Sequence, residues 1–321
     1  MTNSSWDLGV SEELEMVEKR MRGLVASPQK KLTGIALHVI DAGGKRLRPT
    51  IAILSHHALN GNDLNKLIDI AAAMELIHSA TLVHDDINDG AEMRRGKKAA
   101  YKEFGLHEAI VTGDFLFARA FYVGGLSSKK IVELVANSTT QLAEGEIMQF
   151  SHKRDLKLSV DQYLKIIEGK TAHPIRSAAE VGACLAEGHA DEVQALGEYG
   201  LNLGIAFQIV DDILDVVGDP RNVGKTTGID LREGNMTLPM ILARDRGLAG
   251  RIKKVFDSKK PTNEEIAAVL KAVQEAGGVE KALEIAKGYA AGSTEYLDRI
   301  PDSKYREGLL KLSKLVVERT S

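Results

Sequence analysis

Apolar positions along this chain recur at helical spacing, and in one stretch they become almost continuous. From Leu64 to His84 the sequence carries Leu67, Ile68, Ile70, Ala71, Ala72, Ala73, Met74, Leu76, Ile77, Ala80, Leu82 and Val83, with Lys66, Asp69 and Glu75 as its only charges. A helix apolar around most of its circumference is predicted to be central to a core. Further helices are predicted over 11–21, with Leu14, Val17 and Met21 on one side, and over 30–41, where Ala42-Gly43-Gly44 is a stop signal. Pro49 opens another helix that runs to about Leu59. The pattern continues over 108–123, 130–150, 160–186 and 192–217, then over 279–297 and 303–319. Pro174 should kink the helix that contains it. Gly113 and Gly145 place small residues where helices could cross closely, and Thr262-Asn263-Glu264-Glu265 reads as a capping box.

Composition supports that picture: 44% hydrophobic but only 5% aromatic residues suits a helical protein better than a sandwich or barrel. No repeat, low-complexity segment or composition break divides the sequence, so one all-α domain over residues 1–321 is expected. A net charge of −3 gives no sequence-wide attraction to nucleic acid. The single cysteine, Cys184, excludes an internal disulfide framework and fits a reducing compartment. Residues 1–21 lack the apolar core of a signal peptide, and no run reaches about 18 uncharged apolar residues. A cytoplasmic protein without a membrane span is expected.

Two aspartate clusters carry the candidate chemistry. Asp85, Asp86 and Asp89 follow the apolar helix; Asp211, Asp212 and Asp215 follow a second one, and each trio reads D-D-x-x-D. On a helix the first and last members share a face, and the middle one lies about 100° round. Three such carboxylates repel one another, and a hard cation relieves that repulsion. Mg²⁺ suits the pattern, because it takes a few carboxylates together with phosphate oxygens and water. One such cluster could be a solvated acidic helix end. Two copies, each after an apolar helix, point to a diphosphate clamp.

Cations accompany the clusters. Gly43-Gly44-Lys45-Arg46-Leu47-Arg48-Pro49 sets three cations in four residues after two glycines, which lets the backbone approach a ligand and aims Lys45 and Arg48 at it. An exposed basic turn is the plain alternative. His78 lies seven residues before Asp85, two turns up the same face, although a lone histidine in a core helix is usually structural. Arg94 and Arg95 offer guanidiniums for bidentate phosphate contacts. Lys170-Thr171 falls inside a helix, and the loop from Gly218 to Gly234 contains Lys225 and the charged run 230–233. Three other readings fail. The stretch 218–226 has five residues between its glycines, one more than a P-loop, and follows a helix instead of a strand. His56-His57 has no metal-type spacing around it, and no G-x-S-x-G elbow occurs.

The ordered set GGKRLRP (43–49), HDDINDGAEMRRG (84–96), GKTA (169–172), FQIVDDILDVVGD (207–219) and GKTTGIDLREGNMTLP (224–239) resembles the trans-prenyl diphosphate synthases, the head-to-tail isoprenoid chain elongators. The resemblance implies an isoprenoid-synthase-type helical bundle around a central cavity, acting as a homodimer. It implies that Asp85, Asp86, Asp89, Asp211, Asp212 and Asp215 hold three Mg²⁺ on an allylic diphosphate, which Arg94, Lys170 and Lys225 also touch. Lys45, Arg48, His78 and Arg95 would hold isopentenyl diphosphate, and Thr171 and Gln208 would lie along the reacting carbons. In that chemistry an allylic diphosphate ionises, the isopentenyl double bond attacks the cation, and a proton is lost, with the released diphosphate as base.

One position departs from the pattern: Asn235 stands where the family usually has lysine. Losing a charged contact there costs on the order of 1.5–3 kcal/mol of substrate binding. Product length is read from the residues before Asp85, beside which the growing tail runs. Thr81 and Ala80, four and five residues before it, are not bulky, so the tail passes at least to Ile77, about 12 Å below Asp85. Ala73 and Ala72 beyond it are small too, and Phe115 or Phe117 from a neighbouring helix could supply the floor instead. A product of C20 or longer is expected. Farnesyl diphosphate synthase and a non-catalytic subunit of a heteromeric synthase are the alternatives. A cyclising terpene synthase usually lacks GGKRLRP and a second full D-D-x-x-D, and a plain interaction bundle would not need these cations.

Overall fold

The computed structural model describes residues 8–218, 227–258 and 260–320. In chain order the helices are α1 (Ser11–Leu24), α2 (Lys30–Ile40), α3 (Leu47–Ala58), α4 (Leu64–Asn88), α5 (Ala100–Phe104), α6 (Leu106–Gly124), α7 (Lys129–Ser151), α8 (Val160–Ile167), α9 (His173–Leu185) and α10 (Ala190–Val217). They continue as α11 (Ile229–Glu233), α12 (Leu238–Ala243), α13 (Ala249–Asp257), α14 (Asn263–Glu275), α15 (Gly278–Glu295) and α16 (Lys304–Val317). The expected all-α class is what is found. The single exception among the described residues is a hairpin of two-residue strands, β1 (Met93–Arg94) and β2 (Lys97–Lys98). Its turn residues, Arg95 and Gly96, both have positive φ (51° and 80°), as a two-residue hairpin requires. Strands this short leave no alternation to read in a sequence.

The chain groups into two compact units, each assembled from separate stretches. One comprises residues 1–139, 177–197 and 299–309; the other comprises 140–176, 198–298 and 310–321.

In the first unit α4 is the central rod. Asp63 caps it by accepting from the Lys66 N–H at 3.0 Å, and its buried residues run from Leu67 to Val83 on all sides. It packs most extensively on α6, and also on α1 and α3. Length and hydropathy alone would let α4 cross a membrane, but 78% of the relevant window is buried inside the protein. The helix ends at Asn88, so Asp85 and Asp86 lie within its last turn and Asp89 is its C-cap residue. His56 on α3 is fully buried, and neither ring nitrogen has a hydrogen-bond partner among the described residues. Burial, aided by the neighbouring His57, pushes its pKa down to about 4. His57 bonds Glu13 at 3.2 Å and stacks on Tyr305, so the histidine pair is structural. Because the folded pKa of His56 lies below its unfolded value, its contribution is complete above pH 6.5 and is lost as pH falls toward 4. That loss amounts to about 3 kcal/mol. Thermal melts between pH 7 and pH 4.5 should show a weaker pH dependence for His56→Leu than for the parent; equal slopes would remove this assignment.

The second unit holds α8 and the helices from α11 to α15, with the later part of α10. Ser159 and Thr262 each form a capping box; in the latter the Thr262 hydroxyl accepts from Glu265 N–H at 3.2 Å while Glu265 accepts from Thr262 N–H at 3.1 Å. The expected continuous helix over 160–186 is instead interrupted by a π-helical turn, Glu168–Ala172, before α9 starts at His173. Pro174 therefore falls in a first turn, where its missing N–H costs little, and the widened turn takes the place of a kink. The cause is a close crossing. A Cβ on Gly145 would lie 2.8 Å from the Lys170 nitrogen, and one on Gly169 would lie 2.8 Å from the Gln141 carbonyl oxygen. Only glycine at both positions lets α7 and the π turn approach so closely.

Candidate functional site

In the first unit, the turn before α3 sorts its three cations by direction. Arg46 has φ 49°, the left-handed region, and its buried guanidinium donates to Glu75 at 3.0 Å and to the Ile40 carbonyl at 3.0 Å. Lys45 is exposed and Arg48 half-buried. Arg46 is thus a structural cation, turned inward between its two neighbours in the motif. Arg95, at the hairpin tip, donates to the Gly43 carbonyl, and a Cβ on Gly44 would strike its guanidinium at 2.4 Å. The Gly43-Gly44 pair accordingly admits an arginine across its backbone.

His78 lies half-buried on α4 among these cations. Burial, then Arg48, Arg95, Arg46 and Arg94, hold its pKa well below 6.5. It is neutral at neutral pH and can act as a hydrogen-bond donor without adding charge. Burial also lowers the pKa of Arg48, against the opposing pull of Glu75. Glu75 itself is 2% exposed and was not singled out by any motif; its only sequence signal is that it is one of two carboxylates, with Asp69, in the apolar run of α4.

The aspartate trio at the end of α4 is not uniform. Asp85 and Asp89 are half-buried and share a helix face, while Asp86 is buried. Arg94 Nε donates to Asp86 Oδ1 at 2.7 Å, and Nη2 bonds the same oxygen. Burial raises the Asp86 pKa, with the Arg94 hydrogen bond opposing. Arg94, expected on the allylic diphosphate, is here the partner of a carboxylate expected to hold Mg²⁺.

The second unit repeats the division. Asp211 and Asp215 are half-buried and Asp212 is buried. Tyr163 donates to Asp212 Oδ2 at 2.6 Å, and Gln208 Nε2 donates to Oδ1 at 2.8 Å. Burial, reinforced by Asp211 and Asp215, pushes the Asp212 pKa up to about 7 despite those two hydrogen bonds. Asp215 accepts the first two N–H groups of α11, from Ile229 and Asp230, both at 3.0 Å. Arg319 donates to Asp211 at 2.5 Å and covers the Phe207 ring at 5.0 Å. Thr171 Oγ1 donates to Gln208 Oε1 at 2.8 Å, so Thr171, Gln208, Asp212 and Tyr163 form one chain of hydrogen bonds. Lys170, in the π turn, donates to Gln149 at 2.6 Å and pairs with Glu146 at 2.9 Å.

Asn235 is buried, and its amide nitrogen reaches Glu233 at 3.2 Å and Asp230 at 3.4 Å. Asp230 stands beside Asp212 and Asp215, and burial with those neighbours raises its pKa well above the usual range. A neutral amide thus stands between two acidic side chains here, where a lysine would bring a positive charge. Lys225 lies outside the described residues. Ile77, Ala80 and Thr81 are all buried on α4, with Ala80 fully so. Phe115 and Phe117 are half-buried on α6, and Phe117 lies 6.0 Å from the His84 ring. Tyr163, Glu146, Gln149 and Arg319 escaped the sequence reading, because each joins the site only through tertiary packing.

No three His, Cys, Asp or Glu side chains among the described residues are gathered into a metal cage. A divalent ion at either trio would have to complete its shell with ligand oxygens and water. The donor chemistry fits Mg²⁺ on those terms: hard oxygens, with two aspartates per trio on one helix face, those of the second trio also bonded to Arg319 and to the first N–H groups of α11.

The chain is similar to known proteins over most of its length. A family profile described as polyprenyl synthetase matches residues 29–273. The octaprenyl diphosphate synthase of Escherichia coli (strain K12) is 34% identical over 315 residues, covering 95% of this chain and 97% of that protein. A short chain isoprenyl diphosphate synthase of Methanothermobacter thermautotrophicus is also 34% identical, over 312 residues, covering 95% of this chain and 96% of that protein. The crystal structure of a polyprenyl synthase from Caulobacter crescentus CB15, complexed with calcium and isoprenyl diphosphate, superposes with a TM-score of 0.92 at 35% identity, covering 97% of this chain and 96% of that one. The chain belongs to the polyprenyl synthetase family, and it is a prenyltransferase with the helical fold of the trans-prenyl diphosphate synthases.

Proposed function

We propose that the chain condenses isopentenyl diphosphate head to tail with an allylic diphosphate, giving an all-trans prenyl diphosphate of C20 or longer, and that residues 1–321 act as one catalytic domain around a central cavity. The observation that carries this reading is the division of labour repeated in both trios: outer aspartates half-buried on one face, the middle one buried and tied down.

Asp85, Asp89, Asp211 and Asp215 would hold Mg²⁺, three ions being the expectation, with Asp86 and Asp212 orienting the helices that carry them. When bound, the metal ions neutralise the diphosphate that departs as the allylic C–O bond breaks. Fixed cations of the chain share that work. Lys170, braced by Glu146 and Gln149, presents an ammonium to the leaving diphosphate, and Arg94 does so from its seat on Asp86. Lys225 is assigned the same task from the sequence alone. Lys45, Arg48, Arg95 and neutral His78 hold the isopentenyl diphosphate. Thr171 and Gln208, fixed to each other, stand beside the cation that the isopentenyl double bond attacks. The proton lost from the new bond's neighbour passes to the released diphosphate, so no side-chain base is needed. Buried apolar residues such as Ile77 and Ala80 keep water from quenching the cation.

A cytoplasmic homodimer is the proposed assembly. Val111, Phe121, Tyr122 and Leu126 stand exposed on and just after α6 (56%, 56%, 60% and 75%), a surface suited to a second copy.

Labelled isopentenyl diphosphate supplied with dimethylallyl, geranyl or farnesyl diphosphate should be incorporated into products of C20 or longer, and chelation should abolish incorporation. A stop at C15 would make this a farnesyl-length enzyme, and no incorporation with any starter would make it a non-catalytic subunit.

A further inference from the structure

Glu75 is a buried carboxylate inside the cationic half of the site, and the binding roles above make no use of it. It sits three residues before His78 on α4 and is 2% exposed. One oxygen, Oε1, accepts from Arg46 at 3.0 Å. The other, Oε2, is buried without a hydrogen-bond partner among the described residues. A buried carboxylate with a bare oxygen is costly unless its charge is used.

Its surroundings show what uses it. Arg46 is already satisfied by Glu75, by the Ile40 carbonyl at 3.0 Å and by Glu18 at 3.4 Å. Arg48 and Arg95 both feel the field of Glu75, while Arg46, Arg94 and Arg95 crowd around His78 with Arg48. Asp86 answers Arg94. Glu75 is a counter-charge near both Arg48 and Arg95, and Asp86 also faces Arg95.

We propose that Glu75 is a positioning residue of this basic site: it seats Arg46 so that Lys45 and Arg48 turn outward, and its charge keeps the site's hold on a diphosphate loose enough for release. This rests on reading Lys45, Arg48, His78 and Arg95 as the isopentenyl diphosphate site. In head-to-tail elongation the product carries the diphosphate of the isopentenyl unit. That diphosphate must leave this site before another isopentenyl diphosphate can enter. A site with three cations, Lys45, Arg48 and Arg95, and no counter-charge would bind it well and release it slowly. Glu75 weakens the ground state and so favours turnover.

The test is calorimetric titration of the full chain with inorganic pyrophosphate in chelated buffer, beside steady-state kinetics with Mg²⁺. Glu75→Gln keeps an acceptor for Arg46 but removes the charge. It should bind pyrophosphate on the order of tenfold more tightly, with KM for isopentenyl diphosphate and kcat both reduced. Arg46→Gln should bind more weakly than the parent, and Glu75→Gln/Arg46→Gln should return to near the parent value, because both charges are gone. A merely structural Glu75 would make the double variant no better than either single one. Unchanged or weaker binding by a folded Glu75→Gln overturns the proposal. If Glu75→Gln does not fold, the comparison of Arg46→Gln with the double variant decides: no recovery overturns it. Arg48→Gln is the control for the underlying reading. Should it leave pyrophosphate binding untouched, the site assignment fails, whatever Glu75 does.

Discussion

Asn in place of Asp85 or Asp211 is expected to slow product formation roughly 10³-fold, the scale seen when one preorganised group facing a developing charge is lost. Both are outer members of their trios, half-buried on a shared helix face with Asp89 and Asp215 respectively. Asn keeps the size and removes the charge, so the fold should survive. Asp86→Asn should behave differently. Asp86 is buried and its carboxylate belongs to Arg94, so its loss acts through orientation and should cost about 10–100-fold. Raising Mg²⁺ should partly rescue the outer variants, because they lose metal affinity, and should do little for Asp86→Asn. Initial rates with labelled isopentenyl diphosphate across a Mg²⁺ series measure all three. Equal losses at Asp85 and Asp86 would erase the distinction between outer and middle aspartates.

Ala80→Phe is expected to shift the product from C20 or longer to a shorter chain. Ala80 is fully buried on α4, one turn and a residue before Asp85, and the neighbours on that line, Thr81 and Ile77, are buried too. A phenyl ring there would block a tail that descends beside α4, after fewer additions. Overpacking a buried alanine also costs stability, about 1–3 kcal/mol. A melting curve must therefore accompany the product analysis. Chromatography of the dephosphorylated products should show the shorter chain in a folded variant. An unchanged product from a folded Ala80→Phe would mean that the tail does not pass this position.

The helical class, the central rod and both aspartate trios were legible because they rest on periodicity and on residue spacing, which a sequence states directly. Which aspartate of a trio is buried was not legible. That depends on the phase of α4 and α10 against their neighbours, and a 100° step between adjacent residues decides it. What Arg46 does was hidden for the same reason: three cations in four residues look alike until a left-handed backbone at one of them turns it inward. The π turn at Glu168–Ala172 follows from the crossing of Gly145 and Gly169, residues 24 apart that a sequence does not pair. Glu75, Tyr163 and Arg319 gain their meaning from partners far along the chain: 29, 49 and 108 residues away. Asn235 was legible as a departure but not as a bridge between Asp230 and Glu233.

Crystals grown with Mn²⁺ and inorganic pyrophosphate would give anomalous peaks that locate the ions without assumption. Peaks within about 2.0–2.3 Å of carboxylate oxygens from Asp85 or Asp89, and from Asp211 or Asp215, with one pyrophosphate bridging them, are the expected outcome. Ions confined to one trio, or pyrophosphate bound with no ion between it and either trio, would contradict a shared metal clamp.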